Sequence, residues 1–591
     1  MNEFRRTKIV ATLGPSCSDV ESIKMLIKSG MDAARLNFSH GDYSSHEALI
    51  ENVKTARAEL GTPTALMLDT KGPEIRIQKV KDGAVTLEKG AKFILTTVEI
   101  EGDETKASIN YSGLPGDISA GKQILLDDGL IELIVEKVDG NEIECSIING
   151  GVLKNNKGVN VPDVSLSLPA LTQRDIDDIL FGIKMGVDYI AASFIRNVND
   201  VNQLKSVLEK NGGSHIKIIA KIENREGVSN IDSILDATHG IMVARGDLGV
   251  EILPEEVPIV QKDLIKKANK KGKLVITATQ MLESMINNPR PTRAEANDVA
   301  NAIFDGTDIV MLSGETASGK YPSESVSMMA RIALKTEGAI DYYKGISSHD
   351  FSSYKTSITD AISYATCTTA ADIKAGLIAT VTYSGFTARM VSKFRPSCPI
   401  LAITANPAVF RQMNLICGCI PMLCNDISVY DDIFDQSVKL AEESGLVSIG
   451  DLMIIVAGVP VGMTGSTNTI RVATVGNILL KGESSLKKNV TARAFVVQEI
   501  SDAEQNFEAG DILVCQNTRP ELMPFIRKAS AIIVGSDEVQ DYEHALTSGE
   551  ALDIPVLTCT KKVVECIPSD IVITIDGAKG IIYNGKYEVQ L

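Results

Sequence analysis

What the chain lacks narrows its chemistry before any motif is read. It has no tryptophan among 591 residues, and aromatic residues make up 5%, which argues against stacking platforms for single-stranded nucleic acid. Positive charge is in deficit: 59 Lys and Arg face 76 Asp and Glu, a formal net charge of −17. A surface of that sign repels nucleic acid and acidic membranes, although lysines and arginines gathered locally can still serve a small anion. No apolar run reaches the roughly 18 residues of a membrane span. The ten cysteines form no paired framework. Cys417, Cys419 and Cys424 lie close together, but C-x-C-x4-C without a second half is poor zinc spacing, and buried thiols are the expected reading. The start, MNEFRRTKIVATLG, runs straight into a strand pattern instead of a signal-peptide core. The expectation is a cytoplasmic, reduced protein with aliphatic cores and with neither nucleic acid nor membrane as partner. Its length calls for several domains.

What is present is an alternation. Eight apolar runs occupy 7–14, 33–40, 64–72, 187–195, 216–224, 240–249, 274–282 and 309–317. Helical signals lie between them. In SDVESIKMLIKSG, Ser18 and Glu21 have capping-box spacing and Gly30 marks the stop. In TQRDIDDILFGIKMG, Ile176, Ile179, Leu180 and Ile183 share a face before Gly186. Eight strand–helix units with buried parallel strands predict an α/β fold, a (β/α)8 TIM barrel, over 1–73 and 173–346. The third and fourth runs are too far apart for a crossover. The β-type alternation and turn pairs of 74–172 predict an inserted all-β lid domain at the catalytic mouth. Residues 347–476 read as a second α/β domain, and 477–591 as an extra C-terminal α/β domain with its own strands.

Residues at the C-terminal ends of barrel strands face the catalytic mouth. Here those ends carry Arg35, Asn37, Ser39 and His40; Asp69, Thr70 and Lys71; Lys221 and Glu223; Arg245 and Asp247; Thr279 and Gln280; Ser313 and Glu315. Lys221 and Glu223 are two apart and so point to one face of their strand. Glu223 and Asp247 end neighbouring strands and have the donor type to share a hard divalent cation such as Mg²⁺. A metal beside a fixed ammonium is what developing phosphoryl charge requires. The competing reading is an internal ion pair closing the barrel. Others are equally plain: His40–Gly41 finishing a turn, with Ser44 and Glu47 as the next helix's capping box; Thr292 and Glu295 as another box; Lys157 as a surface lysine in a polar loop.

Seven motifs in order resemble the pyruvate kinase family: ARLNFSHG (34–41), LDTKGPEIR (68–76), IIAKIENREGV (218–228), MVARGDLGVE (242–251), TATQMLESM (277–285), PRPTRAEANDVANA (289–302) and MLSGETA (311–317). The resemblance covers about residues 1–475. It implies transfer of the phosphoryl group of phosphoenolpyruvate to ADP, giving pyruvate and ATP, with Mg²⁺ (or Mn²⁺) and K⁺ as cofactors. It implies Lys221 at the phosphoryl in flight, Glu223 and Asp247 as metal ligands, and the Gly246 N–H at the substrate carboxylate. Thr279 would lie near the enolate and Arg35 at a phosphate, with Arg76, His40 and Lys157 gripping the nucleotide. Asn37, Ser39, Asp69 and Thr70 would hold the monovalent cation, a Glu at the Glu74 position going with potassium dependence. The resemblance also implies a homotetramer of bacterial type.

TYSGFT (382–387) has a phosphate-cradling composition and corresponds to the family's effector loop. Thr382, Ser384, Gly385 and Thr387 are therefore expected to bind a phosphorylated allosteric effector, with 461–469 closing over it. A plain strand-to-helix turn is the alternative, and Tyr383 and Phe386 stand where polar residues are usual. The last domain resembles the mobile phosphohistidine domain of phosphoenolpyruvate-utilising enzymes. His544 stands at the phosphorylated position, but Tyr542 and Glu543 replace the usual Thr-Ser, and a carboxylate there disfavours a phosphohistidine. A structural or assembly role is expected. Two other functions fit parts of the pattern: an aldolase of pyruvate-enolate chemistry, and a silent sensor of sugar phosphates.

Overall fold

Eight short parallel strands close on themselves: β1 (Lys8–Thr12), β2 (Ala33–Asn37), β3 (Ala65–Asp69), β4 (Tyr189–Ala192), β5 (Lys217–Ile222), β6 (Gly240–Ala244), β7 (Leu274–Ala278) and β8 (Ile309–Leu312). Each pairs with its sequence neighbours in the barrel, and β1 pairs with β8 to seal it. The computed structural model describes residues 4–347, 357–424, 430–458, 467–476, 478–536, 539–559 and 563–586. They fall into two compact units, Met1–Asp372 with Ile378–Tyr430 and Val456–Ile470, and Ile373–Leu377 with Asp431–Ile455 and Arg471–Leu591.

The strands are apolar on both faces because each face has its own packing. On β5, Ile218, Ala220 and Ile222 point outward into the core shared with the helices. Ile219 points inward and fills the barrel instead of packing on its wall: a Cβ added at Gly240 of β6 would come 2.9 Å from its Cδ1. Lys221 and Glu223 continue that inward row toward the mouth.

Helix starts differ in detail from the sequence reading. Val20–Ser29 is capped by Asp19, whose carboxylate accepts the Ser22 N–H, so Ser18 and Glu21 form no box. Tyr43–Leu60 opens on a box of Asp42 and Ser45 instead of Ser44 and Glu47. In both cases an aspartate one or two positions away supplies the stronger acceptor. The Thr292–Glu295 box is present. Gln173–Met185 buries Asp175, Asp178, Ile179, Gly182 and Met185, while Leu180 is 38% exposed. Gly182 faces β3: a Cβ there would stand 2.7 Å from Leu68 Cδ1, so a larger residue would have to displace that side chain.

Between β3 and β4 the chain builds a six-stranded and a two-stranded sheet around a separate core that includes Phe93, Leu133 and Val159. This all-β insert is anchored to the barrel. Arg196 donates to the Leu166 and Leu168 carbonyls at 2.8 Å each, and Asn160 Nδ2 donates to Glu251 Oε1 at 2.8 Å. Beneath the barrel, parallel strands Leu377–Val381, Ile400–Thr404 and Cys419–Leu423 lie side by side. Cys417 and Cys419 are buried free thiols.

The second unit carries an eight-stranded mixed sheet. Its parallel centre is Val490–Val496, Ile512–Cys515, Ala531–Gly535 and Val556–Cys559, with Val572–Asp576 antiparallel beside the first. Ile478–Lys481, Glu483–Ser484 and Ile581–Asn584 complete it and are strands that the sequence reading omits. No helix among the described residues is long and apolar enough to cross a membrane.

Candidate active site

At the C-terminal ends of β2, β3 and β5 the inward row turns from hydrocarbon to charge. Arg35 of β2 is 8% exposed; its Nε donates to Asp69 Oδ2 at 2.6 Å and its Nη1 to Thr12 Oγ1 at 2.9 Å. Asp69, fully buried at the end of β3, turns its other oxygen to Lys221 Nζ at 3.1 Å. Lys221 Nζ also lies 2.9 Å from Glu223 Oε1 and donates to Ser193 Oγ at 2.7 Å. The second Glu223 oxygen accepts the Phe194 N–H at 2.6 Å. Lys221 and Glu223 thus do form an internal ion pair, but the pair is not the whole site.

Charge balance shows what remains. Arg35 and Lys221 offset Asp69 and Glu223, while the charge of Asp247 acts on both Lys221 and Glu223 and is a third carboxylate. Asp247 is exposed at the mouth, so the third carboxylate meets the buried Lys221–Glu223 pair from the solvent side. Burial pushes the Glu223 carboxyl up to about 7, Lys221 opposing and Asp247 adding to the rise. Burial also works against charge on Asp69 and Lys221, but there the partners prevail. Arg35 and Lys221 hold Asp69 below the usual carboxylate range, and Asp69 and Glu223 hold Lys221 above its usual value. A divalent cation between Glu223 and Asp247 would relieve the repulsion between them and oppose the rise of the Glu223 carboxyl. Among the described residues no group of three or more His, Cys, Asp or Glu is arranged to hold a metal. Two carboxylates completed by substrate oxygens and water is the usual Mg²⁺ arrangement.

Strained turns position the rest. Thr279, just beyond β7, has φ 66°, uncommon for a β-branched residue. Its hydroxyl accepts the Gly246 N–H at 2.8 Å, so that N–H already has a partner. Arg245 braces the turn, donating to the Thr279 carbonyl at 2.6 Å and pairing with Asp298 at 2.7 Å. Phe194 also has positive φ, 54°. Gly72 lies against it: a Cβ there would come 2.7 Å from the Phe194 ring.

A cavity of about 540 Å³ lies between the insert and the barrel mouth, lined among others by Arg76, Lys157, Asp127, Phe194, Asp247 and Glu251. Arg76 donates to Glu74 and to the Asn156 carbonyl, both at 2.7 Å, and Lys157 pairs with Asp127 at 2.7 Å. Lys157 is partly exposed on the cavity wall.

The structure brings Arg35, Asp69, Lys221 and Glu223 into one network and places Asp247, Arg76 and Lys157 on one cavity. Asn37 pairs with Asp69 in register, its Oδ1 accepting the Ser39 N–H at 3.1 Å, and Thr70 follows Asp69. His40 is exposed and finishes a turn; its carbonyl contacts His46 Nε2 at 2.8 Å. Ser193 and Phe194 escaped the sequence reading, although SFIRN at the end of the fourth run follows the same strand-end rule as its neighbours.

Elsewhere, Thr382 Oγ1 accepts the Gly385 N–H at 3.0 Å, and the Thr387 and Thr467 hydroxyls lie 2.9 Å apart. Ser384 is half-buried. Of the loop expected to close over them, 461–466 lies outside the described residues. In the second unit His544 Nδ1 is 3.0 Å from Thr518 Oγ1, and the Tyr542 hydroxyl donates to the Cys559 carbonyl at 3.1 Å.

Three family models match the chain: the pyruvate kinase barrel domain over 4–326, the pyruvate kinase alpha/beta domain over 360–473, and the mobile domain of PEP-utilising enzymes over 507–580. A pyruvate kinase from Geobacillus stearothermophilus is 49% identical, spanning 99% of this chain and 100% of its own. One from Bacillus licheniformis is 46% identical over the same shares. Among solved structures, a pyruvate kinase from Cryptosporidium parvum superposes with TM-score 0.76 at 41% identity, covering 80% of this chain and 96% of its own. The chain belongs to the pyruvate kinase family, a phosphotransferase that passes the phosphoryl group of phosphoenolpyruvate to ADP and yields pyruvate and ATP.

Proposed function

We propose that the network around Lys221 is the phosphoryl-transfer centre of this kinase, and that a buried lysine beside two carboxylates, Glu223 and Asp247, whose charges act on each other supports the assignment. The reaction needs a divalent metal; Mg²⁺ (or Mn²⁺) would be held by Glu223 and Asp247. When bound, the metal supplies charge neutralisation at the phosphoryl oxygens. Lys221 directs its ammonium at the transferring group, steadied by Asp69 and Ser193. Arg35, which spends two donors on Asp69 and Thr12, contributes from the same face to a phosphate. Thr279 and the Gly246 N–H act as a pair: an arriving substrate carboxylate takes over the N–H, and the hydroxyl so released joins the relay that protonates the enolate. Arg76 and Lys157 reach the nucleotide from the cavity wall, and His40 from the turn after β2.

K⁺ is assigned to Asn37, Ser39, Asp69 and Thr70, where hard oxygen donors surround a carboxylate. An ion there shares Asp69 with Arg35 and Lys221. A four-part organisation (1–73 with 173–346, 74–172, 347–476 and 477–591), a homotetramer, a cytoplasmic location and a phosphorylated effector at Thr382, Ser384, Gly385 and Thr387 complete the reading. His544, neighboured by Glu543 and bonded to Thr518, belongs to a structural or assembly domain.

The test is ATP formation from phosphoenolpyruvate and ADP, with each ion omitted in turn. Loss of activity without the divalent ion, and at least tenfold stimulation by K⁺ over Na⁺ that Asp69→Asn abolishes, is the expected result. Equal rates in K⁺ and Na⁺ would remove the monovalent site.

A further inference from the structure

Tyr189, Lys217 and Leu274 are the first residues of β4, β5 and β7, so the small cavity they line with His239, Ser384 and Arg389 lies at the end of the barrel opposite the catalytic mouth. Cations crowd it. Lys217 and Arg389 stand in its wall, and Lys273 and Lys205 are close enough for their charges to act on His239. Among the described residues, no ion pair to a carboxylate involves any of these four. Lys273 donates to the Thr238 carbonyl at 2.6 Å, and Arg389 Nε is buried without a partner. The one acid that acts on Lys273, Asp236, is itself paired with Lys271 at 2.6 Å.

His239 adds a neutral donor. Its Nδ1 accepts the Ile218 N–H at 3.1 Å, which leaves the ring proton on Nε2. Burial, reinforced by the surrounding cations, keeps the imidazole well below its usual range and therefore uncharged near neutrality. A guanidinium, an ammonium and an imidazole N–H form several directed donors with no acceptor between them. That set suits an anion with several oxygens better than a halide. Desolvated cations without counter-charge are unfavourable, and an anion in their midst removes the penalty.

We propose that this cavity at the barrel floor binds a phosphoryl group, free or on a small phosphate ester, through Lys217, Arg389 and the Nε2–H of His239. Its space is about 20 Å³, little more than a water molecule needs. Phosphoryl oxygens enter it and the body of the ligand stays at its mouth. The site uses neither the catalytic network nor the hydroxyls of Thr382 and Thr387, although Ser384 and Gly385 of the same loop border it.

The test is calorimetric titration of the full-length protein at constant ionic strength in chloride, with inorganic phosphate and separately with glycerol 3-phosphate. One binding class should weaken at least about tenfold, the loss of one charge-assisted contact, in Lys217→Gln and again in His239→Phe. Thr387→Val, on the hydroxyl side of the loop, should leave that class unchanged. Tighter binding of the ester than of phosphate identifies an ester as occupant; equal binding identifies the free anion. Lys217 is only half-buried and its glutamine variant should fold, so unchanged affinity and stoichiometry in Lys217→Gln for both probes overturns the proposal.

Discussion

Replacing Lys221 with methionine keeps the aliphatic stem and removes only the ammonium, which touches Asp69, Glu223 and Ser193. Two consequences can be sized separately. A preorganised donor aimed at transition-state charge is worth about 2.7–4 kcal/mol, or roughly 10²–10³ in rate. A lysine against the transferred group belongs at or above the upper end, so kcat should fall at least about a thousandfold with modest change in the KM for phosphoenolpyruvate. The second consequence is electrostatic. Without the ammonium, Glu223 faces Asp247 unopposed and its carboxyl, already pushed up to about 7 by burial, rises further. Protons then compete with the metal, so the metal concentration for half-maximal rate should increase, and more steeply at low pH.

The two effects separate in one experiment. Steady-state ATP formation is measured across a metal titration at two pH values on protein shown to be folded by circular dichroism. Saturating metal should restore metal occupancy but not turnover. A variant that retains a tenth of wild-type kcat at saturating metal and substrate would refute the assignment of Lys221. A thousandfold loss that saturating metal fully repairs would refute it differently, by making the lysine a support for the metal site alone.

Arg35→Met should destabilise the protein by about 3–5 kcal/mol in urea unfolding, because it strips a buried carboxylate of its bidentate-capable partner; a change below about 1 kcal/mol would mean Lys221 alone satisfies Asp69. Gly72→Ala forces a Cβ to 2.7 Å from the Phe194 ring at φ 74°, so it should shift the N–H that holds Glu223 and raise the metal requirement severalfold; an unchanged metal titration would separate Phe194 from catalysis. Lys273 is held down to about 8, by burial first and then by Arg389, with Lys205 and Lys271 adding and Asp236 opposing. The folded state thus binds fewer protons than the unfolded one between about pH 8 and the usual lysine value, and stability from this group rises with pH through that window. In phosphate-free buffer the stability of the wild type should rise relative to that of the Lys273→Met variant as pH goes from 8 to 10, and parallel stability–pH curves would contradict the shift.

The barrel was legible because its strands are short apolar runs at regular spacing, and the insert because one spacing was too long. Legibility failed where geometry outranks composition. The helix at 173–185 carries its apolar residues on a stripe through Leu180, yet it turns that residue outward and Gly182 toward Leu68. Helix starts slipped by a residue or two because Asp19 and Asp42 outcompete neighbouring serines for the free amides. Strands 478–481, 483–484 and 581–584 are too short, and too near the sheet's edges, to show a period of two.

The site divides in the same way. Its charges could be found because a lysine, an arginine and three carboxylates at the ends of apolar strands have no place in hydrocarbon. Phe194 could not, since its contribution is a backbone N–H at positive φ, and its side chain looks like any other apolar residue. Ser193 differs: a hydroxyl at the end of the fourth run obeys the same strand-end rule as its neighbours. Once these two are included, every link but the Lys221–Glu223 pair joins different parts of the barrel: Thr12 on β1 to Arg35 on β2, Arg35 to Asp69 on β3, Asp69 to Lys221 on β5, and Ser193 and Phe194 beyond β4 to Lys221 and Glu223. No hairpin or single helix could assemble that set. A closed ring of strands lets Arg35, Asp69 and Lys221 each find a partner on another strand, while Glu223 pairs with Lys221 of its own strand and takes the Phe194 N–H from beyond β4.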